Sequence, residues 1–272
     1  MVSPEGIDAI SDEIFGLIGS GRQVQPFSRR FAGFDMATAY EVARQVCDRR
    51  VARGEAIVGR KIGFTNREVQ RAFGISAPIC NFMFDTTLSE LSGTDGTFSV
   101  GHLSEPLIEP EIALHLARTP TPGMSDAELV RCVDWIAHGF EIVFSIFPGW
   151  KFDVPDSVAA FGLHGGYRIG PKQSIANDPD GWERMLRGFE IGIESSTGVV
   201  RHGRGSNVLG GPIQALRFLV EEMERFQSCM PVQAGEIVTT GTLTDAMPAK
   251  AGEEWRTQIS GMELPGLRLQ FT

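Results

Sequence analysis

The chain has 272 residues, 42% of them hydrophobic and 22% charged, enough for one large domain or a small domain beside a larger one. Its formal net charge of −9 argues against a nucleic-acid partner, which needs a basic face. No apolar run approaches the length of a membrane span, and the first twenty residues carry Glu5, Asp8, Asp12 and Glu13 where a leader would be basic, so no membrane partner and a cytoplasmic location are expected.

From about Ile7 to Gly74 the pattern is mainly helical. Residues Met36 to Arg53 place Ala39, Tyr40, Ala43, Val46, Cys47 and Val51 at three- and four-residue spacings, and Gly54 stops the helix. Next comes Lys61, bracketed by Gly59 and Gly63, where the backbone can approach a ligand and an ammonium can be held partly desolvated. Asn66 reads as the N-cap of a short helix from Arg67 to Phe73, closed by Gly74. From Pro78 onward short β-type runs dominate, broken by Gly and Pro. Two helices interrupt them. Ser125-Asp126-Ala127-Glu128 is a capping box opening one toward Ala137, and Pro212 starts an amphipathic one carrying Ile213, Leu216, Leu219, Val220, Met223 and Phe226. Phe189 to Val200 reads as a hairpin turning at Ser195-Ser196-Thr197-Gly198. The expected fold class is α+β, with a helical N-terminal region over 1–76 and a β-rich, metal-binding catalytic domain over 77–272. Cys47, Cys80, Cys132 and Cys229 form no C-x-x-C pair and read as reduced, mostly buried thiols.

The chemistry begins at Leu107-Ile108-Glu109-Pro110-Glu111-Ile112. Strand side chains alternate faces, so Glu109 and Glu111 stand side by side. A third acid, Glu141, lies in the strand-like run Phe140-Glu141-Ile142-Val143-Phe144. A Glu-x-Glu alone also describes a solvated strand face. Three carboxylates in apolar sequence instead suit a hard divalent cation, Mg²⁺ or Mn²⁺, because buried carboxylates are costly unless paired or bound to metal. Further polar segments follow the same order along the chain: Phe84-Asp85-Thr86-Thr87, Trp150-Lys151-Phe152, and Gly241-Thr242-Leu243-Thr244.

In that order these pieces resemble the 2-keto-4-pentenoate hydratase family of the fumarylacetoacetate hydrolase superfamily, from about Ala37 to Phe271. The resemblance implies a mixed β-sheet/β-roll core of the fumarylacetoacetate hydrolase type. It also implies a Mg²⁺ or Mn²⁺ held by Glu109, Glu111 and Glu141, and catalytic roles for Lys61 and Asp85. Lys151 and Thr242 are expected at the substrate. Where the family carries an Asp-Asn-Ala-Ser-Ser type run, this chain has Ala160-Phe161-Gly162-Leu163-His164-Gly165, and where it often has an arginine before the Glu-x-Glu, this chain has Leu107. Both departures point to the distal end of the substrate, so Phe161 is expected to contact substrate and His164 to be a further catalytic residue there. His102 and Glu105 are open as a water-activating pair, His115 lies too far along its strand to share the ion, and His138 and His202 read as surface or loop residues.

The implied substrate is a small 2-oxo acid or its 2-hydroxydienoate tautomer. The expected enzyme is a metal-dependent hydro-lyase that adds water to a 2-hydroxy-2,4-dienoate to give a 4-hydroxy-2-oxo acid. Alternatives are a 2-oxo-3-enedioate decarboxylase, a carbon–carbon hydrolase of an acylpyruvate-like substrate, and a silent partner subunit of a hydratase/decarboxylase complex. A homo-oligomer is the expected assembly, with a complex with a related subunit as the alternative.

Overall fold

The computed structural model describes residues 2–67, 70, 71, 74 and 77–272. Helix α1 (Pro4–Leu17) is capped by the Ser3 hydroxyl, which accepts the Gly6 N–H, and buries Ile10, Ile14 and Leu17 along one stripe. After a single turn, α2 (Phe27–Arg30), comes α3 (Met36–Ala52). It is capped by Asp35 and buries Ala39, Val42, Ala43 and Val46 against α1 and the core. The helix expected from Arg67 to Phe73 lies partly outside the described residues.

The chain then enters a sheet through β1 (Ile57–Gly63), which pairs antiparallel with β2 (Ile79–Phe84). Lys61 is therefore in a strand, and β1, from the region expected to be helical, belongs to the main sheet. The long strands β5 (Leu107–Leu116), β6 (Val133–Val143) and β7 (His164–Ser174) form its centre, flanked by β3 (Leu88–Glu90) at one edge and β10 (Ile237–Thr239) on the side of β1. The two-residue β11 (Met247–Pro248) pairs with the start of β5. A second sheet orders β4 (Asp95–Phe98), β13 (Arg268–Phe271), β12 (Glu254–Ser260), β8 (Glu190–Ser195) and β9 (Val200–Arg204). The last two are the expected hairpin.

The two sheets meet through Ile108, Phe140 and Ile142 of the first and Trp255, Leu269 and Phe271 of the second. Period-two alternation then turns Glu109, Glu111 and Glu141 to the opposite face of the first sheet. Helix α4 (Asp126–Val130) has the expected capping box, but it ends five residues in and does not run toward Ala137. From Val133 the chain is β6, whose pairing with β5 and β7 on both sides overrides the local helical start. Helices α5 (Val154–Ala159), α6 (Pro179–Gly188) and α7 (Pro212–Arg225) complete the chain, the last beginning at its proline as expected. Among the described residues, no helix is long and apolar enough to cross a membrane.

Candidate metal centre and substrate cavity

The β5–β6 register sets Glu109 directly across from Glu141 and Glu111 across from Gly139. Each glutamate offers an oxygen, and the three oxygens lie within 4.8 Å of one another. Glu111 and Glu141 are fully buried, while Glu109 is half-buried at the edge of a cavity of about 290 Å³. Pro110 helps to shape this edge. It has no N–H for a ladder, and here β5 exchanges partners between β11 and β10. Segment 240–246 runs alongside in the gap, with the Leu243 N–H on the Pro110 carbonyl (2.9 Å) and the Gly241 N–H on Glu111 Oε2 (3.0 Å).

Lys61 reaches the cluster from β1, three strands from β6, or about 14 Å across a flat sheet. Its Nζ nevertheless lies 3.5 Å from Glu141 Oε2, so the sheet curls around the acids. The ammonium also donates to the Gly162 carbonyl at 2.9 Å. Gly162 has φ +60°, and a Cβ there would sit 3.0 Å from both Lys61 Cδ and Asn81 Cβ, so glycine lets the two segments close on each other.

His164 opens β7 and uses both ring nitrogens away from the cavity: Nδ1 is 2.7 Å from Glu141 Oε1 and Nε2 is 3.0 Å from the Thr87 hydroxyl. One carboxylate thus faces Lys61 with one oxygen and His164 with the other.

The electrostatics follow from packing three acids around one lysine. Burial pushes the Glu109 carboxyl up to about 7, assisted by the charge on Glu141 and opposed by Lys61. Burial also holds Glu111 well above the usual carboxylate range, again with Glu141 and Glu109 adding to it. Glu141 goes the other way: burial would raise it, but Lys61 and the His164 hydrogen bond outweigh that and lower it. Lys61 is raised because the three carboxylates overcome the cost of burying its charge, so it is an ammonium at neutral pH. Burial holds His164 below the ordinary imidazole value against the pull of Glu141.

The cavity lining is mixed: the polar Lys61, Glu109, Thr65 and Thr242 are set among the apolar Ile79, Val143, Trp150, Phe152 and Leu163. Among the described residues, the ionisable side chains lining it are Lys61, Glu109 and Asp245.

Of the expected site residues, Lys61, Glu109, Glu111, Glu141 and Thr242 come together here. Four others need correction. Asp85 is exposed in the turn after β2, where its Oδ1 accepts the Ala56 N–H at 3.0 Å, and it does not reach the cavity. Lys151 is exposed as well. Its backbone is extended, so its neighbours Trp150 and Phe152 turn into the cavity and Lys151 turns out. Phe161 stacks on Phe144 (6.2 Å between ring centroids) behind the wall that Gly162 and Leu163 form. His164 holds Glu141 and does not line this cavity; with Phe161 it lines a second one beside Thr87 and His102.

The remaining histidines are structural or remote. Glu105 accepts the Gly149 N–H and His102 stacks near Phe98, so they form no dyad at the acids. His138, expected at the surface, is buried between the Glu111 carbonyl and Thr257 (2.9 Å each). His115 stacks on Trp135 and pairs with Asp134. The groups that sequence reading missed are backbone and aromatic: the Gly162 carbonyl, the Gly241 N–H, Trp150 and Phe152.

No family model matches the chain. It is 31% identical over 244 residues to 2-keto-4-pentenoate hydratase 2 of Dechloromonas aromatica (strain RCB), covering 89% of each. It is 27% identical over 273 residues to 2-hydroxyhexa-2,4-dienoate hydratase of Comamonas testosteroni, covering 100% of both. Among solved structures, 4-oxalocrotonate decarboxylase from Pseudomonas putida G7, complexed with magnesium and adipate, superposes with a TM-score of 0.91 over 100% of this chain and 99% of that one. At 24% identity that likeness gives the fold, which is of the fumarylacetoacetate hydrolase type.

Proposed function

Since the chain belongs to the 2-keto-4-pentenoate hydratase family, we propose that it adds water to a 2-hydroxy-2,4-dienoate with an uncharged tail, giving a 4-hydroxy-2-oxo acid. The observation that carries this reading is the lining of the cavity, in which Lys61 and Glu109, beside the acid cluster, share the walls with Ile79, Val143, Trp150, Phe152 and Leu163.

The residues of the cluster fit a divalent cation. Glu111 Oε1 is buried without a hydrogen-bond partner, and the buried Glu141 Oε2 has only the Lys61 ammonium at 3.5 Å. Three carboxylates are also the donor set that hard ions such as Mg²⁺ and Mn²⁺ prefer. Glu109, Glu111 and Glu141 would hold the ion, which when bound supplies Lewis-acid polarisation of the substrate's carboxylate and adjacent enol oxygen.

The chain's own groups do the rest. Lys61 is protonated and fixed between Gly162 and Glu141, so it serves as a directed positive charge toward the substrate's anionic end and not as a base. In the overall reaction the enol proton leaves O2 and a proton is taken up at C5, leaving a double bond between C3 and C4 conjugated with the C2 ketone. Water then places its oxygen on C4 and a proton on C3. With Asp85 outside the cavity, the carboxylate that can relay protons at its mouth is Asp245. The walls Ile79, Val143, Trp150, Phe152 and Leu163 receive the tail, and a second carboxylate there would be desolvated without a cation partner. That disfavours a dicarboxylate and its decarboxylation. A homo-oligomer working in the cytoplasm is part of the same proposal.

The test is a substrate panel with Mg²⁺ or Mn²⁺ present, following loss of dienoate absorbance and identifying the product. 2-Hydroxypenta-2,4-dienoate and 2-hydroxyhexa-2,4-dienoate should be hydrated in preference to a dicarboxylate analogue. Faster turnover of the dicarboxylate with release of CO₂, or hydration that chelators leave untouched, would overturn the proposal.

A further inference from the structure

One more polar group is sealed in on the sheet face that carries the acids. Tyr167 of β7 is fully buried, and its hydroxyl has no hydrogen-bond partner. In the β6–β7 register it stands across from Glu141, and two residues along β6, on the same face, is Gly139, which stands across from Glu111. A Cβ on Gly139 would lie 2.4 Å from Tyr167 Cε1 and 2.5 Å from both its Cζ and its hydroxyl oxygen. The ring therefore lies over the bare backbone of Gly139, and its hydroxyl crosses β6 toward β5 and Glu111. No other residue type at 139 would admit it.

Glu111 has the complementary deficit. Its Oε2 accepts the Gly241 N–H and its carboxyl lies against that of Glu141, while its buried Oε1 makes no hydrogen bond to a donor. A buried polar atom without a partner is costly, and these two face each other across β6. Burial and then the charges of Glu111 and Glu141 hold the Tyr167 hydroxyl well above its ordinary value, which keeps it a neutral O–H donor. Ligating carboxylates commonly receive such a bond, and it fixes which way the carboxylate points.

We propose that Tyr167 is a positioning residue of the metal centre: its hydroxyl, unpaired in this structure, would donate to Glu111 Oε1 once an ion draws the carboxylate into place, with Gly139 as the cradle for its ring. This rests on the reading of Glu109, Glu111 and Glu141 as the ligands.

The experiment is calorimetric titration of Mn²⁺ into the metal-free wild-type protein, Tyr167→Phe and Gly139→Ala, with melting temperatures of the metal-free proteins measured alongside. Phenylalanine keeps the ring, so a purely packing role predicts unchanged affinity. The expected result is about a tenfold weaker Mn²⁺ Kd for Tyr167→Phe with a melting temperature close to wild type. Gly139→Ala, which displaces the ring but keeps the hydroxyl, should weaken Mn²⁺ binding to a similar extent and gives a second reading if the phenylalanine variant folds poorly. A Tyr167→Phe Kd within twofold of wild type would overturn the inference. Absence of Mn²⁺ binding by the wild-type protein would instead overturn the reading of the glutamates.

Discussion

Replacing Lys61 with methionine separates the cluster's electrostatics from its metal affinity. The Nζ is buried 3.5 Å from Glu141 Oε2, and at an effective dielectric of about 20 two unit charges at that distance attract by about 5 kcal/mol. Removing one partner of a buried pair costs about 3–5 kcal/mol, in the same range. Without added metal at pH 8, Lys61→Met should therefore be markedly easier to unfold in urea. Adding Mg²⁺ should return much of that loss, because the ion then neutralises the acids and a ligand at 100 times its Kd stabilises by about 2.7 kcal/mol. Catalysis should not return: loss of one directed donor costs about 10²–10³-fold in kcat. Since an ammonium beside Glu141 repels an incoming cation, the Mg²⁺ Kd should stay level or tighten. The assays are dienoate absorbance at saturating Mg²⁺ and calorimetric titration of the ion. A fall in kcat under threefold, or a loss of Mg²⁺ affinity exceeding the loss of kcat, would refute the assignment of Lys61 to the substrate's anionic end.

Glu111→Gln should weaken Mn²⁺ binding by at least about tenfold and abolish metal-dependent turnover while leaving the circular dichroism spectrum unchanged; near-normal titration by Mn²⁺ would count against Glu111 as a ligand. The metal-free protein should lose stability as pH rises from about 4.5 to 7, because the Glu109 carboxyl, raised to about 7, binds more protons folded than unfolded across that window. Added Mg²⁺ should accordingly raise the melting temperature more at pH 8 than at pH 6, and an equal rise at both would contradict the raised carboxyl. His164→Ala removes the 2.7 Å bond to Glu141 Oε1, so it should weaken binding of oxalate, pyruvate and longer 2-oxo acids by the same factor. A selective loss for the longer acids, measured as competitive inhibition constants, would return His164 to the pocket's distal end.

What could be read from the sequence was local, and what could not was register. Glu109 and Glu111 share a face because strand side chains alternate, a property of three consecutive residues, and the structure keeps it. Glu141 sits opposite Glu109 only through the β5–β6 pairing, which no spacing rule supplies; what marked it was a carboxylate inside an apolar β-type run, and the resemblance agreed. His138 shows how one misassigned element spreads. With a helix expected toward Ala137 the residue had no strand to belong to, yet once β6 runs from Val133 the same alternation puts His138 on the face of Phe140 and Ile142, where it is buried. Lys151 was drawn from the right segment, but its aromatic neighbours and not its charge face the cavity.

His164 and Tyr167 carry the point furthest. Beside glycines, an imidazole suggested a group approaching a ligand, but both ring nitrogens are committed to Glu141 and Thr87. Nothing in the local sequence marks Tyr167, although it stands across from Glu141 and reaches over Gly139 toward Glu111. Both act on the carboxylates from β7, while the cavity opens on the side of Lys61 and segment 240–246. The acids are thus gripped from one flank by the sheet itself and approached from the other by substrate. Changes at positions 164 and 167 should therefore move metal affinity, whereas changes at Leu163 or Trp150 should move preference among tails.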